Sequence, residues 1–351
     1  IPLLLDGMYS FVVFDKKHKK LFFAFDPQGE RKLFYHKKQD EIIVASTPEV
    51  IVKNLKNEVK FNNKKLESYF YTRHLTQYKE TIYESIKIFE NGCLYIYDIN
   101  SDNLEKKKID NPLNWISKRK YLKFKNLRPN KVEGYFARLL RNTIDKLLPD
   151  IKFACVFSGG IDSSLVGNYL KDKKNLDFYY CLNHVGKDSI TENIGKFQKY
   201  LKKKIIKRNV YASSYFQDLR KTYKNIFLPF ITHDLVGHEM VFNYIKNKDV
   251  KVLFWAGGAD EIFGGYEAYS NLKFNLDFNV SPYSKFKKKN TNTLDQIESE
   301  KIWLRAFNKY NKFLDKKESR MQASLFTDYF YGSVATHNIT THILSGQNSI
   351  E

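Results

Sequence analysis

Short apolar runs alternate with charged or turn-forming breaks through the first hundred residues. Met8–Phe14, Leu21–Phe25, Leu33–Tyr35 and Ile42–Ala45 are too short for helices and rich in aromatic and β-branched residues, so they read as strands. The first two are separated by Lys16-Lys-His-Lys-Lys20, and the second is followed by Asp26-Pro-Gln-Gly29, which has turn chemistry. The pattern predicts an antiparallel meander. Residues 101–130 are polar and lysine-rich and carry Pro112 and Pro129, and 111–130 is the expected linker between a region 1–110 and a region 131–351. Beyond it the period changes. Val132–Leu148 sets Tyr135, Leu139, Leu140, Ile144 and Leu147 near one helical face, and Pro149 stops it. Strands are then predicted at Phe153–Phe157, Phe178–Leu182, Ile205–Val210 and Val250–Trp255, with helices at Ile161–Leu170, Thr191–Leu201 and Asp234–Asn247. This alternation implies an α/β fold, a parallel sheet covered on both faces, behind an α+β N-terminal part. From Asn271 the chain reads as helical, at Gln296–Leu314 and in pieces around Ser324–Tyr331 and Thr336–Ser345.

Two turns carry candidate chemistry. The apolar run ending at Phe157 passes into Ser158-Gly-Gly-Ile-Asp-Ser-Ser164 and then a helix. Gly159 and Gly160 have no Cβ, so the backbone can curl around phosphate oxygens, and the unpaired N–H groups of the helix start face the same way. Ser158, Ser163 and Ser164 add hydroxyls, and Asp162 is a hard oxygen ligand suited to Mg²⁺. The second turn is Trp255-Ala-Gly-Gly-Ala-Asp-Glu-Ile-Phe-Gly-Gly-Tyr266. There Ala256, Gly257 and Gly258 allow another close backbone approach, and Asp260 and Glu261 add adjacent carboxylates. Parallel sheets bind ligands at the carboxyl ends of their strands, where both turns belong. If both turns sit at that edge, Asp162 and Asp260 can hold one Mg²⁺ between the phosphates of a bound ligand.

Composition narrows the field. The 351 residues allow two domains, and 42% hydrophobic with 16% aromatic content can build cores. No apolar run approaches the roughly 20 residues of a membrane helix. Three scattered cysteines, Cys93, Cys155 and Cys181, fit a reducing cytoplasm. The net charge of +20 raises a nucleic-acid reading. Its lysines are spread in short groups and arginine is sparse, so the charge does not argue for nucleic acid as a partner.

The first turn resembles the S-G-G-x-D-S pyrophosphate loop of the ATP pyrophosphatase (PP-loop) family. It lacks the closing Gly-Lys-Ser/Thr of a P-loop. Leu5-Asp-Gly-Met-Tyr-Ser-Phe11, Asp26-Pro-Gln-Gly29, Leu33-Phe-Tyr35, Val44-Ala-Ser46, Thr81-Ile-Tyr83 and Glu90-Asn-Gly-Cys-Leu94 resemble the later half of the glutaminase domain of asparagine synthetases. Gly258-Ala-Asp-Glu-Ile-Phe-Gly-Gly-Tyr266 and Asp234 resemble positions in their synthetase domain, and Asn348-Ser-Ile-Glu351 its M-x-x-S-L-E.

The resemblance implies part of an Ntn-type glutaminase sheet, then an adenine nucleotide α-hydrolase-like domain with a helical C-terminal part. It implies ATP and Mg²⁺ as cofactors, aspartate or an analogous carboxylate with ammonia or glutamine as substrates, and leaves a homodimer open. Phe157, Ser158, Gly159, Gly160, Asp162, Ser163, Ser164, Ala256, Gly257, Gly258 and Glu261 would bind nucleotide, with Asp162 and Asp260 on the metal. Departures are Phe25, Lys32, Thr47 and Asn91, where Arg, Pro, Glu and Pro are usual, and Trp255, Ala256 and Gly257 in place of Ser, Gly and Glu. His342 stands where an aspartate is common, and with His337 it reads as an ordinary polar residue. Catalytic residues stay unassigned. The family's N-terminal cysteine is absent and its later lysine region would lie past Glu351. The expectation is thus a ligase-like piece that begins mid-domain. Two alternatives are a relative amidating a sugar acid, peptide or β-lactam precursor, and a nucleotide-binding fragment without turnover.

Overall fold

The computed structural model describes residues 2–56, 59–72, 80–184, 188–201, 203–229, 235–266 and 294–331. Asp234, His337, His342, Asn348–Glu351 and the helix expected near 336–345 lie outside them. The described residues fall into two compact units. The first takes those within 1–116, 223–233 and 260–343, the second those within 117–222 and 234–259.

In the first unit the predicted meander is present and antiparallel. Strands β1 (Ser10–Asp15), β2 (Lys20–Phe25), β3 (Phe34–Lys38) and β4 (Glu41–Ala45) are followed by helices α1 (Pro48–Leu55) and α2 (Asn63–Thr72). Strands β5 (Lys87–Ile88), β6 (Cys93–Asp98) and β7 (Asn103–Lys108) complete two sheets, ordered β1-β2-β6-β7 and β4-β3-β5. Phe23 and Phe25 of β2 and Cys93, Tyr95 and Tyr97 of β6 point to one face around Phe89, as a period of two requires. β7 lies within the polar stretch from residue 101. It is an edge strand whose Asn103-Leu-Glu-Lys-Lys-Lys108 leaves only Leu104 partly covered, the charged composition that keeps edges from pairing further.

The expected linker is largely ordered. Pro112–Trp115 forms a 3-10 turn, and α3 (Lys118–Lys125) and α4 (Pro129–Leu147) follow. Leu113 belongs to the first unit, where it packs with Trp303 and Ala306 of helix α10 (Leu294–Tyr310) and Ala323 and Phe326 of α11 (Lys316–Tyr331). The Lys309 ammonium donates to the Leu113 carbonyl at 2.7 Å.

The second unit is built on a parallel sheet. Strand β8 (Phe153–Val156) leads to α5 (Ile161–Leu170), β9 (Leu176–His184), α6 (Asp188–Leu201), β10 (Ile205–Val210), α7 (Ala212–Ile226), α8 (Leu235–Lys246) and β11 (Val252–Phe254); the end of α7 from Tyr223, and α9 (Ala259–Phe263) from Asp260, belong to the first unit. The order is β10-β9-β8-β11, every pair parallel. β8 is buried at every position, and its core contains Phe153, Cys155, Phe157, Leu170, Tyr179 and Ile194. Of the predicted apolar face of α4, Ile144 is buried and Leu140 packs against this core, while Tyr135, Leu139 and Leu147 stay exposed.

Candidate functional site

The sheet order places the two glycine turns. The chain runs from β8 outward through β9 and β10, then returns to lay β11 on the other side of β8. The connection therefore reverses direction between β8 and β11, and a crevice opens outside the carboxyl ends at such a switch point. Val252 pairs with Phe153 and Phe254 with Cys155, so the Phe157 and Trp255 turns leave neighbouring strands at one edge.

The first turn is held by its own serines. The Ser158 N–H donates to Ser163 Oγ (3.2 Å), the two hydroxyl oxygens are 2.9 Å apart, and the Gly160 N–H donates to Ser158 Oγ (3.3 Å). Ser163 Oγ also lies 3.2 Å from the Gly160 carbonyl. Gly159 has φ +78°, the left-handed region where a Cβ is strained, so glycine is what lets the turn close. Gly160 caps α5, and the Ser164 N–H donates to its carbonyl at 3.0 Å. The Ser164 hydroxyl oxygen is buried with no hydrogen-bond partner among the described residues. An orphaned hydroxyl in the first turn of a helix, beside free N–H groups, is the donor set an anion would satisfy. Asp162, half-buried, stands in the same turn.

Phe157 contributes differently from the serines. Its side chain is 0% exposed and packs on Tyr179 and Phe197, and its N–H donates to the Tyr180 carbonyl at 2.8 Å. Only its carbonyl remains for a ligand. Gly167 lies one face below, where a Cβ would come 3.3 Å from Tyr179, so the missing side chain brings α5 close to the sheet.

In the second turn Gly258 has φ +88° and needs glycine, whereas Gly257 has no such constraint. Ala256 and Gly257 are in the second unit with the serine turn; Asp260 and Glu261 belong to the first unit. Within that unit the Gly264 and Gly265 N–H groups donate to the Asp260 carbonyl (2.7 and 3.0 Å), and the Asp260 carboxylate occupies the space a Gly265 side chain would fill. The glycine pair thus tucks Asp260 back onto its own turn, a reason for Gly-Gly that sequence spacing did not reveal. Glu261 is 4% exposed and accepts from the Tyr266 hydroxyl at 2.9 Å. Among the described residues no group of three or more His, Cys, Asp and Glu side chains is gathered as a metal site would be.

All three cysteines are buried. Burial pushes the Cys155 thiol up to about 12 and the Cys181 thiol up to about 11, and Cys93 lies in the β2–β6 core. None is an accessible thiolate. Sequence reading also left apart two residues that meet. Lys32 and Asn91, both departures from the resembling pattern, are joined by a hydrogen bond from Lys32 Nζ to Asn91 Oδ1. Among the described residues no helix is long and apolar enough to cross a membrane.

Comparison with known proteins gives two family matches. The family described as "Asparagine synthase" matches residues 136–340, and the "Glutamine amidotransferase domain" matches residues 3–108. Asparagine synthetase [glutamine-hydrolyzing] 2 of Bacillus subtilis is 26% identical over 276 residues, 74% of this chain and 36% of that protein. The asparagine synthetase of Rattus norvegicus is 27% identical over 284 residues, 75% of this chain and 46% of its own length. A putative asparagine synthetase of Methanocaldococcus jannaschii is 26% identical, over 76% of this chain and 46% of its own length. The chain therefore spans about a third to a half of the curated relatives it matches. The glutamine-dependent NAD+ synthetase of Acinetobacter baumannii, solved with ADP, covers 91% of this chain and 77% of its own at 12% identity, with a TM-score of 0.29, too low to carry an argument.

Proposed function

Because the chain belongs to the asparagine synthase family, we propose that it is the nucleotide-binding part of an ATP-dependent amide ligase. The observation that carries this reading is the self-braced serine turn with its orphaned Ser164 hydroxyl, at the switch point between β8 and β11. In the proposed reaction a carboxylate oxygen attacks the α-phosphorus of ATP. The bond to the bridging oxygen breaks, and pyrophosphate leaves onto the first-turn N–H groups of α5, at Ile161–Ser163. Ammonia then attacks the acyl carbon, AMP departs, and a proton is lost from nitrogen. The N–H groups and the positive end of α5 would stabilise the charge gathering on pyrophosphate. A bound Mg²⁺ would supply positive charge against the leaving pyrophosphate. Asp162 and Asp260 are the proposed ligands, chosen for hard oxygen chemistry.

Two residues favour a second reading within the same chemistry, that of a relative amidating a carboxylate other than aspartate. Gly257 replaces the glutamate of the resembling pattern and Trp255 its serine. Losing one preorganised electrostatic group commonly costs about 10²- to 10³-fold in rate, so little asparagine is expected from aspartate and ammonia.

Calorimetric titration with a non-hydrolysable Mg·ATP analogue tests the nucleotide site. Saturable binding that weakens in Gly159→Ala is expected. No binding by a folded chain would refute the reading. Robust aspartate-dependent pyrophosphate release would refute the altered-substrate version.

A further inference from the structure

Resting on the adenylating reading above, we propose that Trp255 is a specificity-determining residue, and that the acceptor is a carboxylic acid carried on a ring, aromatic or sugar, rather than a short dicarboxylate. Trp255 is the first residue beyond β11, at the carboxyl edge of the strand beside β8, so its backbone neighbours the turn assigned to pyrophosphate. Its ring meets the imidazole of His238 on α8 at 4.1 Å between centroids and 73° between planes. His238 is 2% exposed, whereas Trp255 is only half-buried. The indole is thus braced by a buried neighbour and still reachable. Its N–H makes no hydrogen bond among the described residues.

The room beside it is equally informative. Beyond its chain neighbours, a side chain begun at Gly257 would meet a single atom, Trp255 Cδ1 at 3.8 Å. Cδ1 is the ring carbon bonded to the indole nitrogen, so the wall facing that room is the N–H-bearing edge of the ring. A glutamate at 257 would extend into this room and set a carboxylate against the indole. Glycine leaves both the room and the donor to a ligand. An indole face stacks on flat or ring-shaped bodies, and its lone N–H suits a hydroxyl or carbonyl oxygen. It offers no positive charge to a second carboxylate, the contact by which a short dicarboxylate is best gripped.

Adenine is also flat, and the test separates the two. Indole fluorescence is titrated with glucuronate, phenylacetate and aspartate, alone and with a saturating non-hydrolysable Mg·ATP analogue, using Trp255→Phe to isolate the Trp255 signal. At least one ring acid is expected to quench that signal saturably. Calorimetry should show that acid bound about tenfold more weakly by Trp255→Ser, with the analogue's Kd within about twofold. If Trp255→Ser does not fold, Trp255→Phe, which keeps a ring and loses only the N–H, should weaken the same acid by about threefold. Tighter binding of aspartate than of either ring acid, or no response to any ring acid, overturns the proposal. So does quenching by nucleotide alone with acid affinity unchanged in Trp255→Ser, which would give the indole to adenine. Loss of nucleotide binding in every variant would remove the ligase reading instead, and the acid titrations without nucleotide would still decide whether Trp255 reads a ring.

Discussion

Lys32 shows how a single residue can depart from its family and still be accommodated. It is 1% exposed, and burial holds its amine down to about 8, with Asp26 and Glu30 pulling the other way. The depression means that the unfolded chain, near the ordinary 10.5, binds more protons than the folded one between those values. Stability therefore carries its full penalty below pH 8 and recovers as pH rises toward 10.5. A gain of about 2 kcal/mol between about pH 7 and 9.5 is expected from this group alone. Urea midpoints at the two values check it, and the gain should vanish in Lys32→Met. An equal rise in Lys32→Met would assign it to other groups. No reading of the sequence could have paired Lys32 with Asn91, because they are 59 positions apart and only the turn at Asp26–Gly29 brings them together.

The elements are legible in proportion to how purely their patterns are apolar. β8, α5 and β10 stand where Phe153–Phe157, Ile161–Leu170 and Ile205–Val210 are expected, because a buried parallel strand and its helix leave little room for ambiguity. β7 is hidden by its edge position, where charge replaces alternation. α7 (Ala212–Ile226) is not among the expected helices, although Tyr215, Phe216, Leu219, Tyr223 and Ile226 recur at helical spacing as regularly as the apolar residues of α4. The serine turn is recognisable by residue type, but its internal bracing is not. Ser163 is tied to Ser158 and Gly160 rather than free for a ligand. Ser163→Ala should accordingly loosen the turn, weakening the Mg·ATP analogue about tenfold through loss of the hydroxyl contacts. Gly159→Ala should cost about 1–2 kcal/mol of stability from the left-handed backbone alone, read as a lower urea midpoint. An unchanged midpoint in Gly159→Ala would show that the turn relaxes to a conformation open to any residue.

At the scale of the molecule, each unit has its own core, and the carboxylates proposed to share a metal are divided between the units. Asp162 starts α5 in the second, and Asp260 is held by the Gly264–Gly265 turn in the first. A double-mutant cycle on that pair is the most direct measurement of the proposed nucleotide site. Analogue affinity is determined calorimetrically for the parent chain, Asp162→Ala, Asp260→Ala and the double variant, each with and without Mg²⁺. A shared ion predicts that either substitution weakens Mg-dependent binding by at least about tenfold, that the second adds little to the first, and that the non-additivity disappears without Mg²⁺. Unchanged affinity in the double variant, or two independent and fully additive losses with or without Mg²⁺, would contradict a metal held between Asp162 and Asp260.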